Sequence, residues 1–92
     1  MEFEWDKDKA MRNSEKHGVE FEDAVTVFGD LNAIVIYDGE HSDDEDRYII
    51  LEVSKNARLL VVVHTYREPA IRLISAQAAE KRERQEYEKE LG

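Results

Sequence analysis

The sequence predicts an α+β domain: a small antiparallel β-sheet of about four strands, with two N-terminal helices and a C-terminal helix. Three observations predict it. Helical periodicity governs residues 7–28, β-branched runs split by short turns fill the middle, and a charged helix-forming tract closes the chain. A chain of 92 residues has room for one core, so residues 1–92 are expected to form a single domain.

The opening EFEW alternates in polarity, which suggests a short strand or anchored arm with Phe3 and Trp5 on one side and Trp5 as a core anchor. Asp6 suits an N-cap. A surface helix is expected over residues 7–17, with Ala10, Asn13, Ser14 and His17 near one face and Gly18 at a C-cap that favours positive φ. In FEDAVTVF, Phe21, Ala24, Val25 and Phe28 fall at i, i+3, i+4 and i+7, the stripe of an amphipathic helix. The turn residues at 29–32 end it.

The run AIVIYD then reads as a strand, and after an acidic loop come RYIILEV, the turn SKNA, RLLVVVHTY, the turn REPA, and IRLISA. Connections this short force neighbouring strands to be antiparallel, because a parallel crossover needs a dozen residues or more. The tail AQAAEKRERQEYEKELG holds strong helix formers and opposite charges three and four apart, such as Glu80 with Arg84, so a helix follows the last strand without a loop. In that junction Ser75 closes the strand, while Glu83 and Tyr87 belong to the helix. All helices are expected on one face of the sheet.

The formal charge is −9, with 41% hydrophobic and 38% charged residues. That charge argues against broad, non-specific nucleic-acid binding, which draws its free energy from counterions released by phosphates, so any RNA or DNA contact is expected to be local. Residues 38–46, DGEHSDDED, hold six carboxylates and no Lys or Arg, so the rest is only mildly acidic and leaves room for a compact basic site. This tract lacks the alternating ligands, central Gly and terminal Glu of an EF-hand and reads as a solvated loop. The absence of Cys excludes disulfides, thiolate metal sites and a Cys nucleophile. No metal-ligand spacing, Gly-rich phosphate loop or Ser–His–Asp signature stands out, so neither metal nor cofactor is expected. The longest apolar run, LLVVV, is too short to span a bilayer, and no signal peptide is visible. A cytoplasmic protein without membrane contact is the expectation.

Taken in order, FEWD with Lys9 and Ala10, KHGVEFEDAVTVF from Lys16 to Phe28, RYIILEVS, LLVVVHT, IRLISA and RERQEYE resemble the BrnT family. Each block alone is weak, but their order and spacing are specific. The resemblance implies a RelE-like fold and a ribonuclease toxin of a type II toxin–antitoxin system that inhibits translation and growth. It also implies RNA as substrate and a BrnA-type antitoxin as partner, with DNA contacted only indirectly through that antitoxin. The chain departs from the family where members commonly read Ser-Ala-Arg and it has Ser75, Ala76 and Gln77. That departure and the charge of −9 keep a second function open, a weakened toxin-fold binding module or co-repressor.

Metal-independent RNA cleavage needs removal of the 2′-hydroxyl proton, stabilisation of charge at phosphorus, and protonation of the leaving oxygen. Arg47, Arg58 and Arg72 sit on three successive strand segments and are expected to converge on one sheet face, with His64 as the proton-transfer candidate. Alternation makes Arg58 and His64 co-facial but roughly 20 Å apart. Each has a plainer role: His64 as a hydrogen-bonded core residue, Arg47 as an ion-pair partner of the adjacent DDED. The resemblance adds Lys9, Lys16 and His17 as RNA-binding residues, although Lys16 and His17 equally suit closure of a helix C-terminus.

Overall fold

The computed structural model describes residues 1–30 and 33–91, with the side chain of Leu91 left aside. Of the turn expected at 29–32, Leu31 and Asn32 lie outside the described residues, as does Gly92. The elements run β1 (Glu2–Glu4), α1 (Lys7–His17), α2 (Phe21–Ala24) leading into a 3-10 turn (Val25–Gly29), β2 (Ile34–Tyr37), β3 (Tyr48–Val53), β4 (Leu59–Arg67), β5 (Ala70–Ala78) and α3 (Lys81–Leu91). Helix α1 starts where Asp6 accepts from the N–H groups of Asp8 and Lys9, at 2.8 and 3.1 Å. It stops at Gly18, whose φ of 66° is open to glycine and whose N–H donates to Ser14 O.

The sheet has five strands rather than about four, in the order β1-β5-β4-β3-β2, and it is mixed rather than wholly antiparallel. The meander β2 to β5 is antiparallel as its short turns require, and β1 adds a parallel edge by pairing Glu2–Glu4 with Ala70–Arg72. The FEDAVTVF helix also differs: one α-turn passes into 3-10 geometry, which still buries Phe21, Ala24 and Val27. The tail helix begins later than expected. Residues through Ala78 stay in β5, because Ala76, Gln77 and Ala78 pair with Val62, Val61 and Leu60. Helix α3 then opens with the Glu80 N–H donating to the Glu83 carboxylate at 2.7 Å. Among the described residues the expected Glu80–Arg84 ion pair is not formed.

The helices occupy both faces, which corrects the expectation of one. Val19, Phe21, Ala24 and Val27 pack with Ile50, Leu60, Val62, Ile71, Leu73 and Ala76, joined by Phe3 and Trp5. Leu51, Leu59 and Val61 point to the opposite face and pack with Ala79 and Tyr87 at the start of and within α3. Alternation along β4 demands this, since Leu59 to Val63 is apolar on both sides and each side must leave water, at about 25 cal/mol per Å² buried.

One irregularity sets which side chains face where. Val63 pairs with Ser75 but His64 pairs with Leu73, so Ile74 is an extra residue in β5. The bulge lets Ile71, Leu73 and Ala76 share the first core while Arg72, Ser75 and Gln77 share the other face. Strict alternation would have separated those sets.

Candidate nucleic-acid interface

The second sheet face carries a groove of about 360 Å³ beyond the area that α3 covers, lined by Ile49, Val61 and Val63 below and by Arg47, Ser75, Gln77, Asp38, His41, Ile74 and Glu83 around it. Register explains its composition. Carrying the Tyr48–His64 pairing one step further sets Arg47 opposite Thr65, and Thr65 pairs with Arg72. Arg47 and Arg72 therefore share one row and one face, with their Cα atoms about 10 Å apart across two strand spacings. Arg72 is tied to Glu4 Oε2 at 2.6 Å, across the β1–β5 pair.

Arg47 is fixed at its backbone: its carbonyl accepts from Asp38 N–H at 2.8 Å and its own N–H donates to Ser42 Oγ at 2.9 Å. Its Nε is buried without a hydrogen-bond partner, and it makes no ion pair among the described residues. The expected pairing with DDED does not form. Glu45 instead contacts Arg67 at 3.4 Å, and the Asp46 backbone carbonyl accepts from Thr65 Oγ1. Beside Arg47, the Nδ1 of His41 meets Asp38 Oδ2 at 3.0 Å; the His41 side chain is 63% exposed and that of Asp38 only 15%. A carboxylate that fixes one ring nitrogen leaves Nε2 free to move a proton.

A second, shallow basin adjoins this groove. Lys9, Arg12, Asn13, Lys16 and His17 on α1 line it, together with Ile74 of the bulge. Ile74 belongs to both depressions, so the cations of α1 and the Arg47 groove meet across the open edge of β5. Asn13 holds the two elements together. It is buried, its Nδ2 donates to Ala76 O at 2.8 Å and to Val19 O at 3.0 Å, and its Oδ1 accepts from Ala76 N–H at 3.0 Å. Its amide thus stands in for a neighbouring strand beyond the short reach of β1.

The structure separates Arg58 and His64 from this region. Arg58 Nη1 donates to Gly18 O at 2.9 Å, closing the end of α1. His64 is 0% exposed on the first-core side, enclosed by the rings of Phe28, Tyr48 and Tyr66. Its Nδ1 lies 3.3 Å from Val62 O and its Nε2 has no partner among the described residues. Burial holds its pKa below the ordinary histidine value, only partly opposed by the Val62 carbonyl. Of the three arginines expected on one sheet face, Arg47 and Arg72 lie in one row, whereas Arg58 sits at the end of α1; His64, the proton-transfer candidate, is buried on the first-core face. Sequence reasoning passed over His41, Asp38 and Arg12. The signal for His41 was a lone imidazole inside a carboxylate tract, and for Arg12 its spacing of three and four from Lys9 and Lys16.

Comparison with known proteins bears on this arrangement. A family model described as "Ribonuclease toxin, BrnT, of type II toxin-antitoxin system" matches residues 5–83. Among solved structures, the Brucella abortus ribonuclease toxin BrnT, determined at 1.1 Å, superposes with a TM-score of 0.68 at 23% identity, covering 88% of this chain and 99% of that one. At that identity the likeness speaks for the fold. No curated protein sequence matches the chain.

Proposed function

Because the chain belongs to the BrnT family of ribonuclease toxins of type II toxin–antitoxin systems, we propose that it is a metal-independent endoribonuclease of RelE-like type. It inhibits translation and growth, and a cognate BrnA-type antitoxin neutralises it and provides its indirect link to DNA. The observation that carries this reading is Arg47, a cation with a buried, unpartnered Nε set beside the His41–Asp38 pair. An unpaired guanidinium in a half-enclosed groove is organised for an incoming anion without having to break a contact first.

In this reading a single RNA strand crosses the bulged edge of β5. Lys9, Arg12, Lys16 and His17 hold the backbone, and Arg47, assisted by Arg72, neutralises the charge that grows at phosphorus. His41, oriented by Asp38, transfers the proton. The 2′-oxygen attacks the adjacent phosphorus as its proton leaves, the P–O5′ bond breaks, and the departing oxygen takes up a proton. The products are a 2′,3′-cyclic phosphate and a 5′-hydroxyl end. Arg58 and His64 act through position, the first on the end of α1 and the second under the aromatic cluster.

The test is cleavage of RNA by purified protein in EDTA, with product ends identified. Arg47→Ala is expected to reduce the rate by at least 10-fold, since a general acid–base or charge-stabilising group contributes about 10² or more. A folded protein that leaves RNA intact refutes the proposal. A second reading, a binding module with weakened cleavage, is favoured by Gln77 and Glu83, which line the groove with an amide and a carboxylate.

A further inference from the structure

Strand β2 is an uncommon edge. It pairs only with β3, no described strand covers its other side, and Val35, Ile36 and Tyr37 are 48%, 55% and 55% exposed. Edges in stable folds are blunted by charge, proline or a bulge, and residues 34–37 have none of these. Beside it, a groove of about 460 Å³ opens between α3 and the sheet, floored by Ile34, Ile36 and Leu51. Its rim is mostly acidic: Glu86 and Glu90 outweigh Arg82, and the acidic tract 38–46 begins directly after β2.

From this combination we infer that the open edge of β2 and the groove beneath α3 form a docking surface for an extended protein segment whose residues alternate between aliphatic and cationic. The backbone of such a segment completes the unpaired edge of β2, its aliphatic side chains enter the groove, and its cations meet Glu86, Glu90 and the acidic tract. Charge selects this occupant. RNA is repelled by the rim, and a second copy of a chain of charge −9 meets its own sign. The surface lies away from the α1 cations and borders the Arg47 groove, with which it shares Ile49, Val61 and Glu83. The inference rests on the toxin–antitoxin reading only for the existence of a protein partner.

The test uses two synthetic seven-residue peptides, one alternating Lys with Ile and Val, the other with Glu in place of each Lys, titrated into the full chain while backbone amide resonances are followed at physiological salt. The Lys peptide is expected to shift the amides of Ile34–Tyr37 and of α3 around Glu86 and Glu90, and the Glu peptide to shift neither. Ile36→Lys and Glu90→Lys, both at exposed positions, are each expected to weaken the Lys peptide by about tenfold or more. Equal effects of both peptides, shifts confined to residues 38–46, or a dimer of the chain that Ile36→Lys dissolves would each overturn the inference. Cleavage by Ile36→Lys is measured alongside and is expected to equal wild type. Docking without cleavage removes the ribonuclease proposal and keeps the surface, and cleavage without docking does the reverse.

Discussion

Asn13→Ala is expected to destabilise the protein by about 3 kcal/mol. The side chain makes three hydrogen bonds, and its loss strands the Ala76 N–H, the Ala76 carbonyl and the Val19 carbonyl in a buried setting. Each bond is worth roughly 1 kcal/mol net, and more where the abandoned partner stays dry. In a domain of this size that total lowers Tm by roughly 12–24 °C, while a typical stability of about 5–15 kcal/mol leaves the variant folded at room temperature. Urea unfolding gives the free energy, and amide exchange gives the location: the Ala76 amide, protected in the wild type, should exchange rapidly in the variant. Asn13→Asp tests the geometry, since a carboxylate still accepts from Ala76 N–H but faces two carbonyl oxygens. A loss below about 0.5 kcal/mol, the range of ordinary surface changes, would refute the claim that this amide completes the sheet edge.

Three further outcomes are expected. Replacing Gln77 by Arg should raise RNA cleavage if the groove is an active site short of one cation, and an unchanged rate would count against that placement. Stability should fall as pH drops below about 6.5, because the unfolded chain takes up the proton that buried His64 refuses, and His64→Phe should flatten that slope in urea titrations at successive pH values. Tyr87→Phe should cost about 1–3 kcal/mol by leaving the buried Glu52 carboxylate with the Val53 N–H alone. The Glu52 carboxylate pushes the Tyr87 pKa up to about 12, so between pH 10 and 12 the unfolded state releases a proton that the native state keeps. Wild-type stability should therefore decline across that window and the Phe variant should not share the decline.

Much of the architecture was legible because it rests on local chemistry. Asp6 and Gly18 mark α1 by capping alone, and the turns at 54–57 and 68–69 are too short for anything but antiparallel neighbours. What escaped depended on contacts between distant residues. The parallel pairing of Glu2–Glu4 with Ala70–Arg72 joins segments nearly seventy residues apart, and no local pattern encodes it. The late start of α3 reflects rungs made by Ala76 to Ala78 with β4, which overrode the helix propensity of that alanine-rich stretch. For the candidate site, residue types were legible and directions were not. His64 was placed on the correct side of β4, but that side proved to be core, closed by Phe28 from a turn whose packing the sequence did not reveal.

The extra residue at Ile74 divides β5 into two halves that answer to different demands. From Ala70 to Leu73 the odd positions are constrained by apolar packing, whereas from Ser75 onward the odd positions face the groove. Loss of Ile74 itself would remove the bulge and leave Leu73 opposite His64 and Ser75 opposite Val63, on the faces they already occupy, whereas a residue inserted or lost elsewhere in β5 would re-address the side chains beyond it. Substitution in β5 is thus a local matter, and Ile74 is a residue that the strand can lose without exchanging core for site.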